Sequence, residues 1–150
     1  MTDSLVRDAR DGIADNPPLF EPPPPISVEL SAVGGNYVVL DLGRSRFVHY
    51  AHLQQGSVTV RAGQRVRRGQ LLGRVGNSGN TNGAHLHFNV VNGLRLGEAE
   101  GLPYVFDALV VRGTTTADSA FGDTPTSPGS SQNVRRALPL NGAMVEFPHD

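Results

Sequence analysis

Glycine and proline cut this chain into pieces too short for long helices. Among 150 residues there are 18 Gly and 11 Pro. They fall between short runs rich in Val, Leu, Tyr and Phe. Proline fixes φ and removes a backbone donor, so Asn16 to Pro25 (NPPLFEPPPP) can be neither a helix interior nor a central strand. An extended polyproline-type loop is expected there. Beyond it, β-prone segments follow in quick succession: Ile26–Leu30, Tyr37–Leu40, Arg46–His52, Ser57–Arg61, Gln70–Val75 and Ala84–Val91. Gly34-Gly35, Gly43, Gly63, Gly69 and the run Gly76–Gly83 (GNSGNTNG) supply turns between them. Short strands at this spacing predict an all-β fold, a small antiparallel sandwich or barrel-like sheet.

After Asn92 the pattern weakens. Tyr104–Val111 reads as a strand or short helix. The domain is expected over 1–112, with a flexible Ser/Thr/Gly/Pro linker over 113–134, part of a partly disordered C-terminal region. Residues 135–150 have enough apolar character for one further strand or tail.

Composition removes several function classes. The chain has no cysteine, so disulfides and thiolate metal sites are excluded, and any metal must be held by His and carboxylate. A net charge of -1 gives no footprint for nucleic acid. Arg65, Arg67 and Arg68 cluster, which a solvated strand-turn surface explains. No apolar run is long enough for a transmembrane helix. The first residues, MTDSLVRDARDG, lack the apolar core of a signal peptide.

The histidines carry the chemistry. His85 and His87 are two apart in an apolar stretch, Ala84 to Val91. In a strand such residues share a face, with Cβ atoms about 6.6 Å apart from a rise of ~3.3 Å per residue. Leu86 and Phe88 would then point the other way, into the core. A bare His-x-His is more often a pair of polar residues on a solvated edge, and the context has to decide. A second cluster lies in Arg46–Leu53 (RFVHYAHL). Strict alternation puts His52 on the face of Tyr50 and Val48, with His49 opposite. His49 and His149 read as surface residues. Asp3, Asp8, Asp11, Asp15 and Asp41 read as turn and surface carboxylates rather than ligands.

Three elements in order, Tyr50-Ala51-His52-Leu53, the Val66–Gly73 pattern Val-x-x-Gly-Gln-x-x-Gly, and Gly76–Gly79 before His85-Leu86-His87-Phe88, form a specific combination. Over residues 34–91 the chain resembles the lysostaphin/LytM-type zinc metallopeptidases, with a weaker extension over 5–33 and 101–107. The resemblance implies a small antiparallel β structure with a groove for an extended peptide, and a zinc cofactor. It also implies a peptidoglycan cross-link as substrate and a periplasmic or extracellular setting. It assigns His87 as a zinc ligand, with His52 and His85 as catalytic residues that help activate water and stabilise the tetrahedral intermediate. The chemistry is consistent: a catalytic zinc keeps three protein ligands and one open position, and neutral imidazoles beside it can move protons.

The match breaks at one point. Such enzymes draw two further ligands from an upstream His-x-x-x-Asp, and no histidine precedes His49 here. The expectation is therefore a truncated domain that begins downstream of two ligands and is inactive by itself. The alternative is a non-catalytic peptidoglycan-binding or amidase-activating module of the same fold. A biotinyl- or lipoyl-carrier reading of the Val60–Gly73 segment needs an acceptor lysine, and all 13 basic residues are Arg. If the resemblance holds, His52, His85 and His87 must converge.

Overall fold

The computed structural model describes residues 3–17, 32–81, 83–95, 98–115 and 127–148. The proline-rich stretch beyond Pro17, the candidate strand Ile26–Leu30, part of the expected linker and His149 lie outside those residues. The chain divides into two compact units, residues 1–102 and 103–150. All strand pairings are antiparallel, and no α-helix occurs among the described residues. The all-β expectation is met.

The first unit is a five-stranded sheet. Its strands are β1 (Ser4–Arg10), β2 (Asn36–Asp41), β3 (Phe47–Leu53), β4 (Arg65–Val66) and β5 (His87–Val91), in the order β4-β1-β2-β3-β5. The central strands are the ones dense in β-branched and aliphatic residues. Val6, Val38, Val39, Leu40, Val48, Ala51, Leu53, Val90 and Val91 are all buried. Removing these side chains from water, at roughly 25 cal/mol per Å² of apolar surface, is what fixes β2 and β3 at the centre. The edge strand β4 contributes Val66 alone.

Several expected strands are not ladders. Ser57–Arg61 and Gln70–Val75 run past one another with single bonds, such as Thr59 N–H to Leu72 O at 2.9 Å. Thr59 Oγ1 donates to Leu71 O at 2.6 Å. Turn glycines at 56, 63 and 69 bound them and Gly73 interrupts the second, which leaves too few residues for a continuous ladder. Leu86 is also not in the core: it is 41% exposed, and β5 begins only at His87.

The second unit is a three-stranded sheet of β6 (Phe106–Thr114), β7 (Ser127–Ala137) and β8 (Ala143–Glu146), in the order β7-β6-β8. The Ser- and Gly-rich residues from 127 on, expected to be linker, pair as a strand with β6. Strand pairing needs backbone groups, and the apolar run Leu109-Val110-Val111 in β6 provides the template. Residue 112, the expected domain boundary, lies inside β6. Leu109 is buried and Phe106 packs on Phe147 with ring centroids 4.8 Å apart.

Candidate metal and catalytic centre

The site begins with the register of β3 and β5. Tyr50 pairs with Phe88, Ala51 with His87, and His49 with Asn89. Directly paired residues lie on the same face of an antiparallel sheet. One face thus carries Tyr50 and Phe88, whose rings meet edge-on at 5.2 Å. The other carries His49, Ala51, His87 and Asn89.

Strict alternation would put His52 on the Tyr50 face, away from His87. The structure does otherwise. Between the pairs Val38↔Tyr50 and Asn36↔Leu53, β2 advances by two residues and β3 by three. This is a β-bulge, and His52 adopts φ +59° within it. A bulge re-aims the side chains around it. The His52 ring accordingly lies 5.7 Å from that of His87 and 4.8 Å from that of His85. The expected convergence is present, and the expected face of His52 is corrected by its left-handed backbone.

The glycine-rich loop supplies the rest. Ser78 is fully buried. Its carbonyl accepts from His52 Nδ1–H at 2.8 Å, and its hydroxyl donates to Leu53 O at 2.6 Å. Asn36 N–H donates to Ser78 Oγ at 3.0 Å. This close contact explains two glycines. A Cβ on Gly35 (φ +62°) would collide with the Ser78 carbonyl, and one on Gly79 (φ +82°) with the Gly35 backbone. At the loop's end, His85 Nδ1–H donates to Gly83 O at 2.8 Å, and Thr81 Oγ1 lies 3.2 Å from the same nitrogen. His85 N–H reaches Gly76 O at 3.2 Å, in an isolated bridge rather than in β5.

These anchors decide the tautomers. A carbonyl oxygen can only accept, so Nδ1 carries the proton in both His52 and His85. Nε2 is left bare in each. One ligand nitrogen from each of His52, His85 and His87 lies within 4.8 Å of the others, the one such group among the described residues. Burial is the main cause that lowers the pKa of His52. Its bond to Ser78 opposes that shift, and the neighbouring His85 and His87 add to it. Burial followed by the nearby His85 lowers the pKa of His87. Both rings are therefore neutral at neutral pH.

Neutral imidazoles whose other nitrogen donates to a carbonyl are the donor arrangement that zinc sites use. The donor chemistry of this group fits zinc, and His52, His85 and His87 together could hold a metal ion.

Residues outside the cluster serve the scaffold. His49, read as a surface residue, is 2% exposed and its Nε2 bonds Gly93 O at 3.2 Å. Asp15 is a loop anchor: its carboxylate accepts from Asn77 N–H at 2.5 Å and Gln55 N–H at 2.9 Å. Asp11 accepts from Gly56 and Val58 N–H. Asp41 faces Arg7 at 3.8 Å. Arg65, Arg67 and Arg68 are exposed. Sequence reasoning missed Ser78 and Asn36: Asn36 stands out as a polar residue between Gly35 and the apolar run Tyr37–Leu40, whereas nothing marks Ser78 among the polar turn residues of its loop.

Residues 26–98 match the model of peptidase family M23. The peptidoglycan DD-endopeptidase ShyA of Vibrio cholerae is 42% identical over 57 residues, which is 38% of this chain and 13% of that protein. The peptidoglycan DD-endopeptidase ShyC of the same organism is 39% identical over 61 residues, 40% of this chain and 14% of that protein. The matched region is thus a small fraction of either relative. The solved structure of LytU superposes with a TM-score of 0.44 at 24% identity, over 67% of this chain and 57% of that one.

Proposed function

With residues 26–98 matching the model of peptidase family M23, we propose that this chain carries the histidine part of a zinc-dependent endopeptidase centre acting on peptidoglycan peptides. The observation that supports this most is the convergence of His52, His85 and His87, with their ligand nitrogens within 4.8 Å. His87 is the metal ligand in this reading. His52 and His85 are the catalytic residues beside it.

A bound zinc would polarise the scissile carbonyl and bring the pKa of water down to about 7. The protein's own part is proton management. His52 and His85, each tied at Nδ1, keep Nε2 free to accept a proton from water and return it to the leaving amine. Their anchors are main-chain carbonyls, so the rings need little reorganisation during the transfer. The names of the relatives supply the substrate class.

These 150 residues contain no His-x-x-x-Asp. The remaining zinc donors of the family pattern are therefore not among them, and the chain by itself is expected not to cut. That same gap favours a second reading, a non-catalytic peptidoglycan-binding or amidase-activating module.

The test is to measure zinc content and cleavage of cross-linked peptidoglycan peptides, for the chain alone and joined to a segment bearing His-x-x-x-Asp. The endopeptidase reading expects weak zinc binding alone and cleavage in the joined protein. Metal-independent binding to peptidoglycan, with no cleavage in either form, would support the second reading.

A further inference from the structure

We propose that Ser78 is a positioning residue: with Asn36 it clamps the β3 bulge and thereby sets the tautomer and place of the His52 ring. This rests on the reading of His52 as a catalytic residue. Its structural half stands on the hydrogen bonds alone.

The need for a clamp follows from the backbone. A non-glycine residue in the left-handed region is disfavoured by the close approach of Cβ to the carbonyl oxygen. His52 holds φ +59° one residue before the end of β3. Such a conformation persists only when its surroundings over-determine it. His52 N–H is taken by Gly34 O at 2.9 Å. The Ser78 carbonyl takes the ring Nδ1–H. One residue on, Leu53 O accepts both Ser78 Oγ–H at 2.6 Å and Asn36 Nδ2–H at 2.9 Å. Ser78 therefore grips the bulge twice, at the ring with its carbonyl and at the main chain with its hydroxyl.

The two grips are coupled because both belong to one fully buried residue. Ser78 and Asn36 are each 0% exposed, so water cannot replace a lost partner. Asn36 is itself locked: its side chain also donates to Ile13 O and accepts from Ile13 N–H, both at 2.8 Å. Without the hydroxyl, Asn36 N–H loses its acceptor and Leu53 O keeps only one donor. The Ser78 carbonyl is then free to shift away from His52. A ring released from that carbonyl can carry its proton on either nitrogen. Only the Nδ1–H form leaves Nε2 bare toward His85 and His87.

The experiment is long-range ¹H–¹⁵N NMR of the imidazoles in the full 150-residue chain at neutral pH, without metal. In the unmodified protein His52 should be a single Nδ1–H tautomer. In Ser78→Ala it should become a mixture, while His85, tied to Gly83, is unchanged. An Nε2–H tautomer of His52 in the unmodified chain overturns the proposal, and this reading holds even if Ser78→Ala does not fold. A folded Ser78→Ala with an unchanged tautomer overturns it as well. A tautomer change without peptide cleavage in any zinc-loaded form keeps Ser78 as the holder of His52 and removes the endopeptidase reading instead.

Discussion

His49 and His52 lie three residues apart on one strand, and only one of them joins the site. His49 sits in regular register, paired with Asn89, with its Nε2 tied to Gly93 O. His52 sits in the bulge, with its Nδ1 tied to Ser78 O. Both are buried and both have a pKa lowered chiefly by burial. What separates them is the backbone. The extra residue in β3 turns His52 toward His85 and His87 and leaves Nε2 bare, whereas His49 spends that nitrogen on a loop. Residue type and burial do not make a site residue here; the local conformation does.

The sharpest way to break this comparison is metal binding. His87→Ala should weaken zinc binding by more than the 10- to 100-fold that loss of an outer-shell partner costs, whereas His49→Ala should change it only about 3-fold or less. Calorimetric titration of both variants checks this. Equal losses would mean that His49 is not set apart from the metal-binding group as described.

Next is the clasp that holds the bulge. Gly35→Ala would force a Cβ into the Ser78 carbonyl at φ +62°. Destabilisation of at least about 2 kcal/mol is expected by urea unfolding. Gly43→Ala, also at positive φ but with nothing near its Cβ, should cost about 1 kcal/mol.

Protonation gives a smaller effect. The folded pKa values of His52, His87 and His49 lie below the ordinary 6.5. At pH values between the two, the unfolded chain binds more protons than the folded one, so stability rises with pH. The contribution is complete above pH 6.5 and is lost as pH falls from there toward the lowered folded values. Denaturation midpoints followed downward from pH 8 should be flat at first and then decline. Zinc affinity should decline over the same range, because protons compete for Nε2.

The smallest effect is expected far from the bulge in sequence. Arg112 donates to Glu146 through Nε at 2.9 Å and Nη2 at 2.6 Å, with both side chains about half exposed. Arg112→Ala should cost under about 1 kcal/mol and leave zinc binding unchanged.

Much of this was legible in the sequence, for identifiable reasons. The β2 and β3 strands announce themselves in Tyr37–Leu40 and Arg46–His52, because buried strands need β-branched and aliphatic residues. The three site histidines were legible through motif spacing. The face of His52 was not, since alternation assumes a regular strand and no single residue marks the bulge. The burial of His49 was hidden too, because it depends on pairing with β5. The β7 strand escaped composition because its pairing is made by backbone groups. The roles of Ser78 and Asn36 needed the loop's return to β2, a contact 42 residues apart in sequence.

The most direct test of the central claim is a zinc titration of the unmodified chain, followed through the imidazole ¹⁵N resonances of all the histidines. The account predicts a shift centred on His87, with accompanying changes at His52 and His85 and none at His49. A shift at His49 comparable to that at His87, or no response from the His52, His85 and His87 group at millimolar zinc, would contradict it.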